Sequence, residues 1–243
     1  MRRFLVVVPK KVAPAALVGE VLVERGAVYD TIMPADRFAS HAPFTYPGLP
    51  ERPGDYAGLV VMGGGMSAND DAEHPFVADL RRLVRAFDAA GRPVLGVCLG
   101  AQIVARAYGG TVYRMARFES GLGTVDLTAA AREDPVFAGL PAALPVFHNH
   151  YEAVRDMVGA TVLAANAHCP IQAFRVGARV YGLQFHPEVT IDTVREWIRV
   201  FGARFCQDEP RLLTDLDRTF AEGFAAYRAA GRALIGRWAA LAT

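Results

Sequence analysis

Several things are scarce in this chain of 243 residues. Cysteine is one. Cys98, Cys169 and Cys206 are three in number, with no paired spacing. That excludes a disulfide framework or a cysteine-rich zinc site and points to a reducing, cytoplasmic compartment. Charge imbalance is another. With 26 basic and 25 acidic residues the formal net charge is +1, which offers no field to attract nucleic acid or an anionic membrane surface. Long apolar runs are missing too. None reaches the about 20 residues of a spanning helix, and Phe4 to Val8 is too short for a signal-peptide core, with no small-residue cleavage site after it. No Gly-Lys-Ser/Thr phosphate loop, no Gly-x-Gly-x-x-Gly spacing, no repeat and no low-complexity tract occurs. Hydrophobic residues at 52% and charged residues at 21% leave an ordinary globular chain, sized for one large domain or one domain with an appendage.

What is present alternates. Apolar runs at 4–8, 28–32, 59–62 and 94–97 read as buried strands. Helical stripes at 15–25, 71–90 and 101–107 lie between and after them. This βαβ pattern predicts an α/β fold: an open, mostly parallel sheet flanked by helices, in a flavodoxin-like three-layer α/β/α arrangement. Residues 33–56 hold five prolines and read as loop with at most a turn of helix. Past residue 111 come short strands at 111–114, 123–127, 146–147, 161–164, 171–175 and 179–185, expected as a mixed or antiparallel extension of the same sheet. A helix is expected at 191–205. An apolar stripe over 212–241, interrupted by Gly223 and Gly231, reads as a C-terminal helix packed on the sheet, or else as a dimerisation or docking face. The division is 1–205 for the main domain and 206–243 for a helical extension packed on it.

Chemistry concentrates at strand ends. Cys98 ends an apolar run, has Gly96 and Gly100 two residues to either side, and opens a helical pattern. A nucleophile on a sharp strand-to-helix turn needs such small neighbours, and a helix start favours thiolate over thiol and turns backbone N–H groups toward developing negative charge. The alternative is an inert core cysteine. A nucleophilic thiol needs a base with an orienting group. Of six histidines, only His186 sits at a strand end with an acid two residues on, in Gln184-Phe185-His186-Pro187-Glu188. In extended backbone, residues i and i+2 share a side, so Glu188 can hold the imidazole. Gly63, Gly64 and Gly65 follow another strand and let bare backbone approach a ligand, or make an ordinary turn. His41 and His74 read as surface residues, and Cys169 and Cys206 as structural thiols. His148 and His150 lie near the expected pocket, but spacing reveals no third metal donor.

Gly96-Val97-Cys98-Leu99-Gly100-Ala101-Gln102, the His186-Pro187-Glu188 stretch after Gly182-Leu183-Gln184-Phe185, and the glycine run upstream together resemble the class I, triad-type glutamine amidotransferases. The likeness covers roughly 1–205 and is strongest to the amidotransferase domain of GMP synthase and its free-standing relatives, supported by Glu119-Ser120-Gly121, His150-Tyr151-Glu152 and Cys169 to Phe174. The resemblance implies Cys98 as nucleophile, His186 as base and acid, and Glu188 as its orienting partner. It implies an oxyanion hole from the backbone N–H groups of Gly64 and Leu99. Substrate contacts would come from Gly63, Gly65, Gln102, Asn149, His150 and Tyr151. It implies no cofactor and no metal. Ala101 stands where a His often follows the elbow glycine, and His150-Tyr151-Glu152 stands where His-Gly-Asp is frequent.

The Ser-Gly-Gly-x-Asp pyrophosphatase loop of GMP synthase is missing. The resemblance therefore implies a glutaminase that passes ammonia to a separate synthetase partner. A hydrolase of other γ-glutamyl peptides or amines would use the same triad, and a catalytically idle regulatory module is the third reading. Neither nucleic acid nor membrane is an expected partner; a homodimer through the C-terminal stripe is one candidate assembly.

Overall fold

Five strands lie side by side and parallel; four are apolar and almost wholly buried, and the fifth, at the edge of the sheet, is only partly buried. β1 (Arg3–Val7), β2 (Val28–Ile32), β3 (Gly58–Val61), β4 (Val94–Val97) and β9 (Val180–Leu183) run in the order β2-β1-β3-β4-β9. The computed structural model describes residues 1–10, 13–34, 48–202 and 214–242. Alternate side chains of these strands point to opposite faces. Leu5, Val7, Leu59, Val61 and Val94 pack with α2 (Phe76–Ala89) and α3 (Leu99–Ala107). Phe4, Val6, Val60, Leu95 and Val97 pack with α1 (Leu17–Glu24) and α5 (Leu216–Ala239). The result is the expected three-layer α/β/α arrangement.

The sheet continues antiparallel through β8 (Ala173–Val176), β7 (Ala160–Ala165), β5 (Thr111–Leu127) and β6 (Ala143–Arg155), nine strands in all among the described residues. Here the structure corrects the sequence reading. The strands expected at 111–114 and 123–127 are one strand, β5, with an irregularity between Arg114 and Glu119 that breaks its alternation. The two residues expected at 146–147 belong to the 13-residue β6.

Helix α2 starts at Phe76, after Pro75, rather than at 71. Helix α4 (Ile191–Phe201) opens on Thr190, whose hydroxyl accepts the Thr193 N–H. The loop expected at 33–56 lies in large part outside the described residues, as do His41, Cys206, Leu212 and the boundary placed at 205. Helix α5 lies against the sheet and α1: Trp238 packs on Phe4 with ring centroids 5.7 Å apart and the rings tilted by 52°, and Arg228 pairs with Glu20 at 2.6 Å. Neither Gly223 nor Gly231 interrupts it: the helix is continuous from Leu216 to Ala239. A Cβ on Gly231 would lie 2.1 Å from the Pro187 carbonyl, so the glycine permits a close approach. Among the described residues no helix is long and apolar enough to cross a membrane.

Candidate active site

Three neighbouring strands carry the residues expected to react. β3, β4 and β9 are adjacent, and their carboxyl ends carry Gly63 to Gly65, Cys98, and His186 with Glu188. Val97 lies opposite Leu183, and the Cys98 N–H donates to the Leu183 carbonyl at 2.7 Å. Residues almost ninety positions apart are thus brought together by one strand pairing. This edge of an open parallel sheet is where ligands bind.

Cys98 occupies a strained backbone, with φ 53° and ψ −109°, at the N-cap of α3. Both glycines of the turn are required by contact. A Cβ on Gly96 would meet the Gly100 carbonyl oxygen at 2.4 Å, and one on Gly100 would meet the Val61 carbonyl oxygen at 1.9 Å. Helix α3 makes its first intrahelical bond from the Gln102 N–H to the Cys98 carbonyl at 3.1 Å. The N–H groups of the helix's first turn, Leu99 included, have no partner within the helix.

His186 and Glu188 are both 2% exposed, and the imidazole Nδ1 lies 2.8 Å from Glu188 Oε1. Burial pushes the imidazole toward its neutral form, but the Glu188 charge and the neighbouring Cys98 sulfur outweigh burial and raise its proton affinity. With Nδ1 taken by Glu188, Nε2 is the nitrogen left for Cys98. Gly63 fits between them: a Cβ there would sit 3.0 Å from the His186 ring and 3.6 Å from Cys98 Cβ. Gly64 packs on Leu99, whose Cδ2 a Cβ would meet at 2.7 Å. The two residues expected to supply oxyanion donors are therefore in contact. The indole of Trp197 meets the His186 ring edge-on at 5.0 Å.

A cavity of about 460 Å³ opens over Cys98. Gly64, Gly65, Gln102, Asn149, His150 and Tyr151 line it together with Cys98 and His186. Its far wall is β6, whose Phe147 carbonyl accepts the His186 N–H at 2.8 Å and whose Asn149 carbonyl lies 3.8 Å from Cys98 Sγ. Gln102 is buried, and its amide nitrogen donates to the Glu152 carbonyl at 3.1 Å and to Gln184 Oε1 at 3.3 Å. It ties α3 to this wall.

Ser67, Asp70, Arg114, Phe118 and Trp197, to which the sequence assigns no role, also line the cavity, as does Glu152 of the His150-Tyr151-Glu152 stretch. Ser67 donates to Glu152 Oε1 at 2.9 Å. Glu152 is half-buried, and burial raises its carboxyl pKa, opposed by Ser67 and Arg114 and reinforced by Asp70. Arg114 lies over the Tyr151 ring at 4.8 Å. Ser67 and Asp70, directly after the glycine run, were the readable part of this set. Arg114 and Phe118 were hidden by the break in β5.

Behind the wall, Glu119 is a buried hub. Its carboxylate accepts from Asn166 at 2.7 Å and Gln172 at 2.9 Å, and lies 3.1 Å from His150 Nε2. Burial would raise its pKa, but the His150 contact, the charge of His148 and the Asn166 bond hold it down at about 2. Glu119 is also the third donor that spacing did not reveal: ligand atoms of Glu119, His148 and His150 lie within 4.8 Å of one another. Any ion there would compete with the amides and imidazole that the carboxylate already serves.

A family model described as glutamine amidotransferase class-I matches residues 22–202. A glutamine-hydrolyzing GMP synthase subunit of Pyrococcus abyssi is 33% identical over 135 residues, covering 55% of this chain and 66% of that protein. The putative glutamine amidotransferase-like protein YfeJ of Salmonella typhimurium is 34% identical over 156 residues, covering 62% of this chain and 64% of that one. The chain thus spans slightly less than two-thirds of these curated relatives. Among solved structures, a glutamine amido transferase from Methylobacillus flagellatus superposes with TM-score 0.81 at 26% identity over 100% of this chain and 95% of that one. A glutamine amidotransferase from Thermotoga maritima shares the fold at TM-score 0.79 and 24% identity, over 98% of each chain.

Proposed function

We propose, for a chain that belongs to the class-I glutamine amidotransferase family, that it hydrolyses the γ-amide of glutamine through a thioester on Cys98. The supporting observation is that Cys98 and His186, at the ends of β4 and β9, line one cavity, with Glu188 bonded to His186 behind it.

The thiol proton passes to His186 Nε2 as Sγ attacks the γ-carbonyl carbon. The oxyanion is held by the N–H groups of Leu99 and Gly64. Collapse breaks the C–N bond, and His186 returns its proton to the departing ammonia. Water then attacks the thioester, with His186 taking its proton and returning one to sulfur, and glutamate leaves. Glu188 keeps the ring oriented and stabilises its charged form. General acid–base help of this kind is worth about 10² to 10⁴ in rate, and one oxyanion donor about 10² to 10³. At the amino-acid end, Glu152 and Asp70 suit an α-ammonium and Arg114 an α-carboxylate. That the Pyrococcus relative is one subunit of a GMP synthase supports delivery of the ammonia to a synthetase on a partner chain.

One observation favours a second reading. A cavity of about 460 Å³ is of the size that holds drug-like ligands. Beyond a γ-glutamyl group there is room for a leaving group larger than ammonia, as in a γ-glutamyl peptide or amine. Glutamate release from glutamine, γ-glutamyl peptides and γ-glutamyl polyamines separates the two. Glutamine is expected to be turned over best. Negligible glutamine turnover beside a γ-glutamyl peptide overturns the first reading in favour of the second, and no turnover of any of them, with candidate synthetases added, overturns both.

A further inference from the structure

The segment His186 to Val189 carries the base and its orienting acid, yet it lies beyond the end of β9. Strand pairing holds it only at its start, through the bridge from His186 to Phe147. Three of its other backbone groups bond to two helices. The Glu188 carbonyl accepts the Leu17 N–H of α1 at 3.3 Å. The hydroxyl of Tyr227, on α5, accepts the Val189 N–H at 2.6 Å and donates to the His186 carbonyl at 3.1 Å. Tyr227 is 1% exposed, so both bonds are made away from water. One hydroxyl thus closes a loop across Pro187 and Glu188. One turn further along α5, Gly231 lets the helix rest against the Pro187 carbonyl.

We propose that Tyr227 is a positioning residue for the His186–Glu188 pair and that α5 exists in part to carry it there; this rests on the catalytic roles proposed above for that pair. An apolar stripe alone would need only burial, which Phe at position 227 would supply equally. The hydroxyl adds something burial does not: it fixes the distance between the backbones of residues 186 and 189, and with it the ring's approach to Cys98. Misplacement of a reacting group by about 1 Å is enough to cost on the order of 10²-fold in rate. The family match ends at residue 202, so this contact comes from outside the matched segment.

The test uses the full chain with Tyr227→Phe, and Gly231→Ala as a second variant that keeps the hydroxyl but forces α5 away from Pro187. Each is assayed well below its own melting point. The first readout needs no substrate: the rate of Cys98 alkylation by iodoacetamide across pH, taken as the difference from Cys98→Ala. The second is kcat and KM for whichever γ-glutamyl compound the wild type turns over. Both variants are expected to lower the alkylation rate and kcat by about 10- to 100-fold, with a displaced alkylation pH profile and KM within about 3-fold of wild type. Arg232→Gln, which removes a surface ion pair between α5 and Glu24, is expected to leave alkylation and kcat unchanged. Wild-type alkylation and kcat in Tyr227→Phe, whatever its melting temperature, overturn the proposal. So does an effect confined to KM. A wild type that turns over none of the substrates defeats the functional reading, while the alkylation arm still decides the role of Tyr227.

Discussion

The two halves of the sheet do different work with different materials. In the parallel half, the groups proposed to react stand on glycine and apolar strand, and their geometry is set by backbone: the strained turn at Cys98, the bare Gly63 to Gly65, the register of β4 against β9. In the antiparallel half, β5 and β6 carry charge and aromatic rings into the same cavity: Arg114, Phe118, Tyr151, Glu152. Under the function proposed above, the first half would supply chemistry common to many γ-glutamyl compounds. The second is suited to deciding which of them enters. Changes in the parallel half should therefore lower kcat, and changes in the antiparallel half should raise KM.

The largest effect is expected from Cys98→Ala. Glutamate release should fall by at least about 10⁴-fold, with the melting temperature close to wild type, since the side chain lost is small. Glu188→Gln comes next, at about 10²-fold in kcat with little change in KM. It also has a pH signature. Glu188 helps to raise the proton affinity of His186 above its ordinary value of 6.5. A raised folded value gives stability that is fully present below the unfolded value and is lost as pH rises through the folded one. The melting-temperature difference between wild type and Glu188→Gln should thus be greatest below about pH 6.5 and shrink as the solution becomes alkaline. A difference that grows with pH would separate Glu188 from the imidazole.

The same contrast explains what could be read in advance. The parallel strands announce themselves because residues such as Leu59 to Met62 and Val94 to Val97 are apolar on both faces, and the glycine run and Cys98 follow directly from their ends. The antiparallel half hides its strands. Polar residues run from His148 to Glu152, so apolar patterning marks only Val146 and Phe147 of β6, although the strand continues to Arg155. Glu119 has neighbours from three separate stretches, Asn166, Gln172 and His150, and no local pattern records such a convergence. Tyr227 was legible as one member of an apolar stripe, while the use of its hydroxyl was not.

Within the antiparallel half the hub should matter most. Glu119→Gln leaves buried donors poorly matched, a loss of about 1–3 kcal/mol, read as a melting temperature lower by a few to about ten degrees. KM should rise more than kcat falls, because His150 lines the cavity wall. The carboxyl sits at about 2, below its ordinary value of 4.5. Its stabilisation is therefore present above about pH 4.5 and lost as pH falls toward the folded value. The gap between wild type and Glu119→Gln should hold constant through neutral pH and close in acid.

The smallest effects test whether the halves are joined where they touch. Ser67 leaves the glycine run of the parallel half and donates to Glu152 in the antiparallel half at 2.9 Å. Glu152→Gln should raise KM by about 10-fold, the value of a charge-assisted bond to the α-ammonium, with kcat within a few-fold. Ser67→Ala removes one neutral donor to that carboxylate, a net loss of about 0.5–1.5 kcal/mol, and should raise KM by a factor of about 2 to 12. The double variant decides how that factor arises. If Ser67 acts by holding Glu152, its substitution should change little once Glu152→Gln is present, and the coupling should nearly equal the Ser67→Ala effect. If the two effects simply add, Ser67 meets substrate on its own, and recognition then belongs to both halves of the sheet rather than to β5 and β6.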